Sequence, residues 1–290
     1  MIKNQAITGR TVPIEHGHEK PAPKMQYVRL GNSGLKVSRL IFGTATYGIK
    51  SDVTWRVEKE EALTHLQRAW ELGFNTFDTS NFYCNGVSEE ILGEFIKIVP
   101  REAVVIMTKA TLSSQLGVIH IFDNVKEALK RLQTDYIDVM QLHRFDYDTP
   151  IEETMQALHD VVQAGYVRYI GMSSCWAWQF HAMQNYAISN KLTPFIIVKT
   201  STTCFTARKN ISRPLDRAYE TVRSTSDAYH DEAILGVEWE KEINRRVETL
   251  ARKRNLPMAN IALALDVELS EEDIKYLEEH YQPRSTVGFT

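Results

Sequence analysis

The chain has 290 residues, of which 43% are hydrophobic and 24% are charged, and its formal net charge at pH 7 is −3. These values describe an ordinary globular protein of one domain or at most two. Lysine and arginine residues are dispersed along the chain, which argues against a basic surface for nucleic acid or for an anionic membrane, so a small-molecule or protein partner is expected.

The first 24 residues are polar and contain no apolar core of the length that a signal peptide requires. No run of 18 apolar residues follows, which argues against a membrane-spanning helix. The three cysteines, Cys84, Cys175 and Cys204, are widely spaced and odd in number, which favours free thiols in a reducing compartment. We therefore predict a flexible tail over residues 1–24, a folded domain over residues 25–290, and a cytoplasmic location.

From residue 26 the sequence alternates between short apolar runs and amphipathic segments. A β-hairpin is predicted first, because the strand-like runs QYVRL and LKVSRL flank the turn GNSG. The run RLIFGTATYG predicts the next strand, and EKEEALTHLQRAWELGF predicts a helix after it. In that helix Leu63, Leu66 and Trp70 recur at helical spacing, acidic residues fill the first turn, and Gly73 marks the end.

The strand and helix unit then repeats along the chain. The further predicted strands are NTFDTS, AVVIMTKA, YIDVMQLHR, VRYIGMSS and PFIIVKTS, and the further helices are SEEILGEFIKIV, IFDNVKEALKRLQ, IEETMQALHDVVQAG and WAWQFHAMQNYAIS. Such apolar strands are buried on both faces, and helical crossovers imply parallel pairing. A doubly wound sheet and a (β/α)8 barrel both fit, but no G-x-G-x-x-G motif follows the first strand, which weakens the dinucleotide-binding doubly wound alternative.

Chemically capable side chains end four of these strands. Asp78, Lys109 and His143 end the second, third and fourth strands, and Ser173 with Ser174 ends the fifth. In a (β/α)8 barrel the carboxyl-terminal strand ends share one rim, and the active site is built there. The barrel alternative therefore predicts that these four segments converge on one pocket.

Tyr83 follows Asp78 by five residues, at the start of a polar loop. A tyrosine, with an ordinary pKa near 10, is a poor acid at neutral pH unless a nearby positive charge favours its phenolate. Lys109 can supply that charge and Asp78 can hold the lysine in place. His143 can position a substrate carbonyl oxygen beside the Tyr83 hydroxyl. The four residues together predict proton delivery to a carbonyl group.

Each residue also has a plainer interpretation. A lone Asp, Tyr, Lys or His at a strand end is commonly a cap, a turn residue or a surface group. Ser173 and Ser174 can instead cap the helix that begins near Trp176. The aromatic residues Trp176, Trp178 and Phe180 fit either a substrate wall or core packing, and core packing is favoured. No third or fourth metal ligand is recognisable beside any candidate pair, so no metal site is predicted.

These segments resemble the aldo-keto reductase family, in the branch that includes aryl-alcohol dehydrogenases and potassium-channel β subunits. The resemblance covers roughly residues 26–198 almost without interruption. It rests on YVRLGNSGLKVSRLIFGT, NTFDTSNFYCNGVSEEILGEFIK, VVIMTKA, RLQTDYIDVMQLHRFD, IEETMQALHDVVQAGYVRYIGMSSCWAWQF and the later LDVELSEEDIKYLEEHY. It implies a (β/α)8 barrel with an N-terminal β-hairpin that binds NADP without a Rossmann fold and reduces aldehydes or ketones by hydride transfer.

The resemblance also implies roles for individual residues. Tyr83 is the implied proton donor, Lys109 and Asp78 tune it, and His143 binds and positions the substrate. The two serines are implied to contact the nicotinamide amide, and Asp78 to lie near the cofactor ribose. The implied cofactor-binding residues are Gly43, Thr44, Asp78, Ser173 and Ser174.

The chain departs from the family pattern after residue 198. The family's sixth strand usually ends in a glutamine near the nicotinamide, and Lys199 stands near that place here. Residues 203–232 contain no apolar run long enough for a strand. The helix predicted over residues 238–265 runs directly into DVELSEEDIKYLEEH, without the family's intervening strand and phosphate-binding loop. The chain therefore resembles an aldo-keto reductase that lacks the seventh and eighth strand regions, with six clear β/α units and an irregular segment over residues 203–232.

Two interpretations of function remain open, beside a third in which the chain is a truncated or alternatively spliced product that folds poorly. The first is an NADPH-dependent oxidoreductase, of a kind found in secondary metabolism, that reduces an aldehyde or ketone with Tyr83 as proton donor. The alternative is a catalytically impaired or truncated relative that acts as a binding or regulatory protein. The intact Asp, Tyr, Lys and His set discriminates between them, because a binding module does not require it. Exposed sheet edges favour self-association, so a homo-oligomer is expected in either case.

Overall fold

A computed structural model describes five stretches of the chain. These are residues 25–50, 54–110, 120–199, 238–256 and 269–279. The predicted tail over residues 1–24 and the predicted irregular segment over residues 203–232 lie outside the described residues.

The described chain begins with an antiparallel hairpin, as the sequence predicts. Its strands are β1 (Tyr27–Arg29) and β2 (Lys36–Ser38). In the turn between them Gly31 has a φ of 57°, in the left-handed region that glycine tolerates best. A Cβ at Gly31 would also clash with the Ile196 carbonyl. The turn therefore needs glycine both for its backbone conformation and for its close approach to a distant part of the chain.

Six parallel strands follow, separated by five helices. The strands are β3 (Phe42–Gly43), β4 (Thr76–Asp78), β5 (Val105–Ala110), β6 (Ile137–Leu142), β7 (Val167–Ser173) and β8 (Phe195–Lys199). The helices are α1 (Lys59–Glu71), α2 (Val87–Ile96), α3 (His120–Leu132), α4 (Ile151–Gln163) and α5 (Ala177–Ser189). The strands pair in chain order from β3 to β8. This curled sheet is an incomplete (β/α)8 barrel, and its unbroken order lacks the reversal of a doubly wound sheet.

Two apolar clusters hold this half-barrel together. Helix α1 buries Ala62, Leu66 and Ala69 at helical spacing, and these pack in one cluster with strand residues such as Ile106. The second cluster joins Val37 of the hairpin to residues near the amino-terminal ends of the strands. It consists of Val37, Val105, Met107 and Val139, with Leu30, Leu35, Tyr169, Ile196 and Ile197 packed around it. The hairpin therefore covers the amino-terminal end of the barrel and leaves the opposite rim for the site.

Two C-terminal helices complete the described chain, α6 (Glu238–Lys253) and α7 (Glu271–Glu278). The prediction of one helix over residues 238–265 was wrong, because α6 ends at Lys253. Asn255 has a φ of 51°, and Pro257, which cannot donate a backbone hydrogen bond, comes two residues later. Among the described helices, none is both long enough and apolar enough to cross a membrane.

Candidate active site

The predicted site residues lie together on the carboxyl-terminal rim of the half-barrel. Parallel pairing places Gly43 beside Asp78 at the ends of β3 and β4, and Ser173 beside Lys199 at the ends of β7 and β8. Lys109 lies near the end of β5, two residues beyond Met107, which pairs with Asp78. The chain order of the strands therefore brings segments more than 120 residues apart to one opening at the carboxyl-terminal end of the half-barrel, which we call the mouth.

A buried ion pair forms the centre of the site. The Lys109 ammonium donates to Asp78 Oδ2 at 2.8 Å, to the Thr79 carbonyl at 2.7 Å and to the Tyr83 hydroxyl oxygen at 3.1 Å. An ammonium has three hydrogens, so these three acceptors account for all of its donors. Both charged side chains are almost fully buried, with 2% of Lys109 and 3% of Asp78 exposed. The lysine is thus fixed with one N–H directed at the tyrosine oxygen.

The electrostatics of the pair follow from burial and from the neighbouring charges. Burial raises the pKa of Asp78, but the charges and hydrogen bonds of Lys109 and Lys199 outweigh it and hold that pKa below its usual value. Burial lowers the pKa of Lys109, and Asp78 opposes this effect. The carboxylate therefore stays ionised, and its negative charge favours the ammonium form of the buried Lys109.

A strained turn presents Tyr83 to the ammonium. Tyr83 begins a short 3-10 segment in which Cys84, Asn85 and Gly86 all have positive φ, at 50°, 52° and 90°. The Cys84 sulfur accepts hydrogen bonds from the Arg56 guanidinium at 2.7 Å and from the Ile49 amide at 3.4 Å. These contacts hold the turn in place. The Lys109 ammonium lies 4.6 Å from the centre of the Tyr83 ring.

His143 lies against the same tyrosine. Its ring meets the Tyr83 ring edge to face at a centroid distance of 6.2 Å, and its Nδ1 is 3.3 Å from the Ser80 hydroxyl. Burial, and then the positive charges of Lys109 and Arg144, lower its pKa from 6.5 to about 4. At neutral pH the ring is therefore neutral, and it can accept or donate one hydrogen bond without adding charge to the site.

The two predicted cofactor serines end β7 and do not cap the next helix. Ser173 is buried and is the last residue of the strand, whereas Ser174 has a φ of 49° and donates its amide to the Lys199 carbonyl at 2.8 Å. Helix α5 begins after Trp176, whose amide donates to the Gln179 side chain at 2.8 Å. The capping interpretation of the serines is therefore wrong.

Gly43 and Thr44 differ in their access to the mouth. Gly43 is exposed, and a Cβ there would meet no atom within 4 Å, so open space lies beside it. Thr44 is fully buried, and its hydroxyl donates to the Asp78 carbonyl at 3.1 Å and lies 2.7 Å from the Ser88 hydroxyl. Its hydroxyl therefore joins β3 to β4 and α2, and its proximity to a cofactor stays a prediction.

Sequence reasoning assigned no role to two residues that contact Asp78. Lys199 donates to Asp78 Oδ2 at 2.5 Å while 44% of its side chain stays exposed. Gln141 donates to Asp78 Oδ1 at 3.3 Å, and its own carbonyl oxygen is buried without a hydrogen-bond partner among the described residues. The sequence contained a feature that could have pointed to each of these two residues. Lys199 ends a strand as Asp78 does, and an amide inside the apolar run of β6 needs a polar neighbour.

The aromatic residues near α5 divide between rim and core. Trp178 is 62% exposed and Trp176 is 37% exposed, so the favoured core prediction was wrong for both. Phe180 stacks on Phe195 at a centroid distance of 5.7 Å and packs against the main core, as predicted. The Trp178 ring lies 6.2 Å from Phe145, two residues after His143. An aromatic surface therefore borders the site.

Comparison with known proteins identifies relatives along most of the chain. A family model described as the aldo/keto reductase family matches residues 39–266. A Schizosaccharomyces pombe protein named as an aryl-alcohol dehydrogenase is 36% identical over 338 positions, which cover 89% of this chain and 96% of that protein. The versiconal hemiacetal acetate reductase of Aspergillus parasiticus is 33% identical, covering 90% of this chain and 98% of that protein.

Both alignments contain more positions than the 290 residues of this chain. Each alignment therefore includes residues of the relative that have no counterpart in this chain, as expected if this chain lacks internal regions. The crystal structure of a thermostable aldo-keto reductase, solved with the inhibitor epalrestat, superimposes with a TM-score of 0.67. That match has 23% identity and covers 88% of this chain and all of the other chain. It supports the barrel fold.

Proposed function

This chain belongs to the aldo/keto reductase family, and from that premise we propose that it is an NADPH-dependent reductase of an aldehyde or ketone. Members of this family are oxidoreductases that act on small carbonyl compounds. The proposal adds the cofactor, the direction of the reaction and the residues that perform it. The observation that carries it is the Lys109 ammonium, which donates to Asp78 and to the Tyr83 hydroxyl oxygen at once.

When bound, NADPH would supply a hydride, which is two electrons and a proton, to the carbonyl carbon. The electron pair of the carbonyl π bond moves to the oxygen, which takes the hydroxyl proton of Tyr83. The Lys109 ammonium already donates to that hydroxyl oxygen, so it stabilises the negative charge left on the phenol. Water then returns a proton to Tyr83. Atoms and charge balance without any metal.

His143 and Asp78 act through position in this scheme. The neutral His143 ring lies beside Tyr83 and can hold the substrate carbonyl oxygen near the Tyr83 hydroxyl. Asp78 keeps Lys109 charged in a buried place. Because His143 is neutral, the negative charge that develops on the carbonyl oxygen is stabilised by Tyr83 and Lys109. These two residues are already joined by a hydrogen bond.

The residues at the mouth fit a nicotinamide cofactor. Open space adjoins Gly43, and Ser173 ends the strand beside Lys199 on the same rim. The buried Gln141 carbonyl oxygen, without a partner in the described chain, supplies an unused acceptor next to Asp78. Gly43, Asp78, Ser173 and Ser174 would hold the nicotinamide and its ribose. Thr44 would support them through the backbone of Asp78.

An aryl carbonyl compound is the proposed substrate class. Phe82 is 70% exposed and meets His143 edge to face at 6.0 Å, and Tyr147 and Trp178 are also largely exposed around the same mouth. Exposed aromatic rings beside a polar site offer a flat apolar surface to a ring of the substrate. One relative is named for an aryl-alcohol substrate and another for a fungal hemiacetal acetate. A role in secondary metabolism agrees with these names.

Location and assembly are also part of the proposed function. Cys84 and Cys175 are free thiols, which suits a reducing cytoplasm. Strands β3 and β8 each pair on one side only within the described sheet, and such edges favour self-association. We therefore propose a homo-oligomer, which sedimentation of the purified protein at several concentrations will test.

The test is a stoichiometric assay of the purified protein. With NADPH and a panel of aryl aldehydes, we expect one mole of alcohol for each mole of NADPH oxidised, with product identified by chromatography. Loss of NADPH without alcohol would contradict the proposal. Binding of NADPH without turnover of any aldehyde or ketone would instead favour a binding or regulatory relative.

A further inference from the structure

We infer that Lys199 makes this site bind the reduced nicotinamide cofactor more tightly than the oxidised one, so that the cofactor is released after it has been oxidised. The inference rests on the proposed function, because it requires a nicotinamide in the mouth of the half-barrel. It assigns Lys199 as a residue that selects the redox state of the cofactor. It is separate from proton transfer, which Lys109 and Tyr83 perform.

The side chain of Lys199 crosses the mouth of the half-barrel. Lys199 ends β8, whereas the Asp78 carboxylate that it contacts ends β4, and three strands lie between them in the sheet. Its backbone carbonyl accepts the Ser174 amide, and Ser173 pairs with it across the sheet. The backbone of Lys199 therefore lies beside the two serines while its ammonium contacts Asp78, on the rim at which a nicotinamide would be held.

Among the described residues, the charges at this mouth do not cancel. Asp78 Oδ2 accepts from two ammonium groups, Lys109 at 2.8 Å and Lys199 at 2.5 Å, so one carboxylate faces two cations. Another buried acid, Glu89, pairs with Arg131 at 2.6 Å. His143 is neutral at physiological pH. Lys109 is fully engaged and buried, so the excess positive charge is that of Lys199, whose side chain is 44% exposed to solvent.

The ring of the cofactor has to lie close to this charge. Hydride transfer requires the donor carbon and the carbonyl carbon to approach to about 3 to 3.5 Å, while the carbonyl oxygen contacts Tyr83. From the Lys199 ammonium to the Tyr83 oxygen the structure has three successive contacts, of 2.5, 2.8 and 3.1 Å. The ammonium and the ring are therefore neighbours within one small mouth.

The sign of the effect follows from the charge of the ring. The reduced nicotinamide is neutral and the oxidised nicotinamide carries a positive charge, so a nearby ammonium repels only the oxidised form. At about 8 Å and an effective dielectric constant of about 20, Coulomb's law gives a factor of roughly 30 in relative affinity. Screening of a half-exposed ammonium by water and salt reduces this to roughly tenfold. A neutral residue at position 199 removes the repulsion.

The experiment measures equilibrium binding of NADPH and of NADP⁺ by calorimetry, without substrate or turnover. For the wild-type protein we expect a ratio of dissociation constants, NADP⁺ over NADPH, that falls roughly tenfold in Lys199→Gln. Lys199→Arg keeps the charge and should retain most of the wild-type ratio. Lys36→Gln is the matched control, because Lys36 is an exposed residue of the hairpin at the opposite end of the barrel and its replacement should leave the ratio unchanged.

The outcomes separate this inference from the proposed function. If both cofactor forms bind and the ratio is the same in the wild-type protein, Lys199→Gln and Lys199→Arg, the inference is wrong and the proposed function stands. If the ratio changes equally in Lys199→Gln and Lys199→Arg, shape and not charge matters, and the inference is again wrong. If neither form binds the folded wild-type protein, the proposed function fails and the inference fails with it.

Discussion

Asp78 separates two regions of the site that differ in burial while sharing one carboxylate oxygen. On the inner side Lys109 is 2% exposed and makes three hydrogen bonds, one of them to Tyr83. On the outer side Lys199 is 44% exposed and reaches the same oxygen from β8. A buried cation with all of its donors engaged has no N–H left for a ligand, and its hydrogen bonds fix the groups around it. A half-exposed cation acts on whatever enters the mouth, so the difference in burial predicts two different functions.

The largest expected effect comes from the inner side. Tyr83→Phe removes the proton donor and leaves the ring, so we expect kcat for aldehyde reduction to fall by about 10² to 10⁴. NADPH affinity should change little, because the variant keeps the aromatic ring and removes only the hydroxyl that accepts from Lys109. Steady-state kinetics and calorimetry on one preparation measure both quantities. Wild-type turnover in the variant would remove Tyr83 from the mechanism.

The second prediction compares the two lysines by stability. Lys109→Met leaves a buried carboxylate with one fewer partner, and breaking a buried ion pair lowers the free energy of unfolding by about 3 to 5 kcal/mol. Lys199→Gln alters a partly exposed ion pair, which contributes no more than about 1 kcal/mol. Urea denaturation of both variants gives the two values. Equal losses would contradict the division into an inner and an outer region.

The third prediction concerns how the free energy of unfolding depends on pH through protonation of His143. Folding lowers the pKa of His143 from 6.5 to about 4, so between these values the unfolded chain binds more protons than the folded one. Its contribution to stability is therefore complete above pH 6.5 and is lost as pH falls toward 4. The full shift corresponds to about 3 kcal/mol, and partial exposure of the ring reduces this to about 2 kcal/mol.

Chemical denaturation of the wild-type protein and of His143→Gln at pH 7 and pH 4.5 isolates this contribution. We expect the wild-type protein to lose more stability than the variant over this interval. Parallel losses would mean that the histidine is solvated and titrates normally. NMR titration of the ring protons measures the same group directly.

The smallest expected effect concerns Thr44. Thr44→Val keeps the shape and removes a buried hydroxyl that joins Ser88 to the Asp78 carbonyl, so we expect a loss of about 1 to 2 kcal/mol in the free energy of unfolding. If Thr44 only supports the strand ends, NADPH affinity should stay within about twofold of wild type. A large loss of affinity at unchanged stability would instead place the hydroxyl at the cofactor.

Much of this arrangement could be predicted from the sequence because local patterns carry it. Apolar runs and helical spacing predicted the alternating strands and helices, and the parallel order then brought Asp78, Lys109 and His143 to one rim. The Tyr83 turn lies only five residues from Asp78, so its place was also local.

What the sequence did not predict depends on contacts between distant segments. Lys199 reaches Asp78 across 121 residues, and Arg56 reaches the sulfur of Cys84 from the far side of the turn. No periodicity encodes such contacts. Core packing was favoured for Trp178 because alternation over so short a span does not separate a substrate wall from a core, but its side chain at the start of α5 is 62% exposed. The end of α6 at Lys253 was missed because the apolar pattern continues past Asn255 and Pro257.

The central claim is that the Asp78, Lys109 and Tyr83 cluster delivers a proton to a carbonyl that receives a hydride from NADPH. The most direct measurement uses NADPH labelled with deuterium at the transferred position, together with an aryl aldehyde and the purified wild-type protein. Mass spectrometry should find one deuterium per alcohol, bonded to the carbinol carbon. Wild-type protein that binds the labelled cofactor but yields no labelled alcohol from any aldehyde or ketone would contradict the claim.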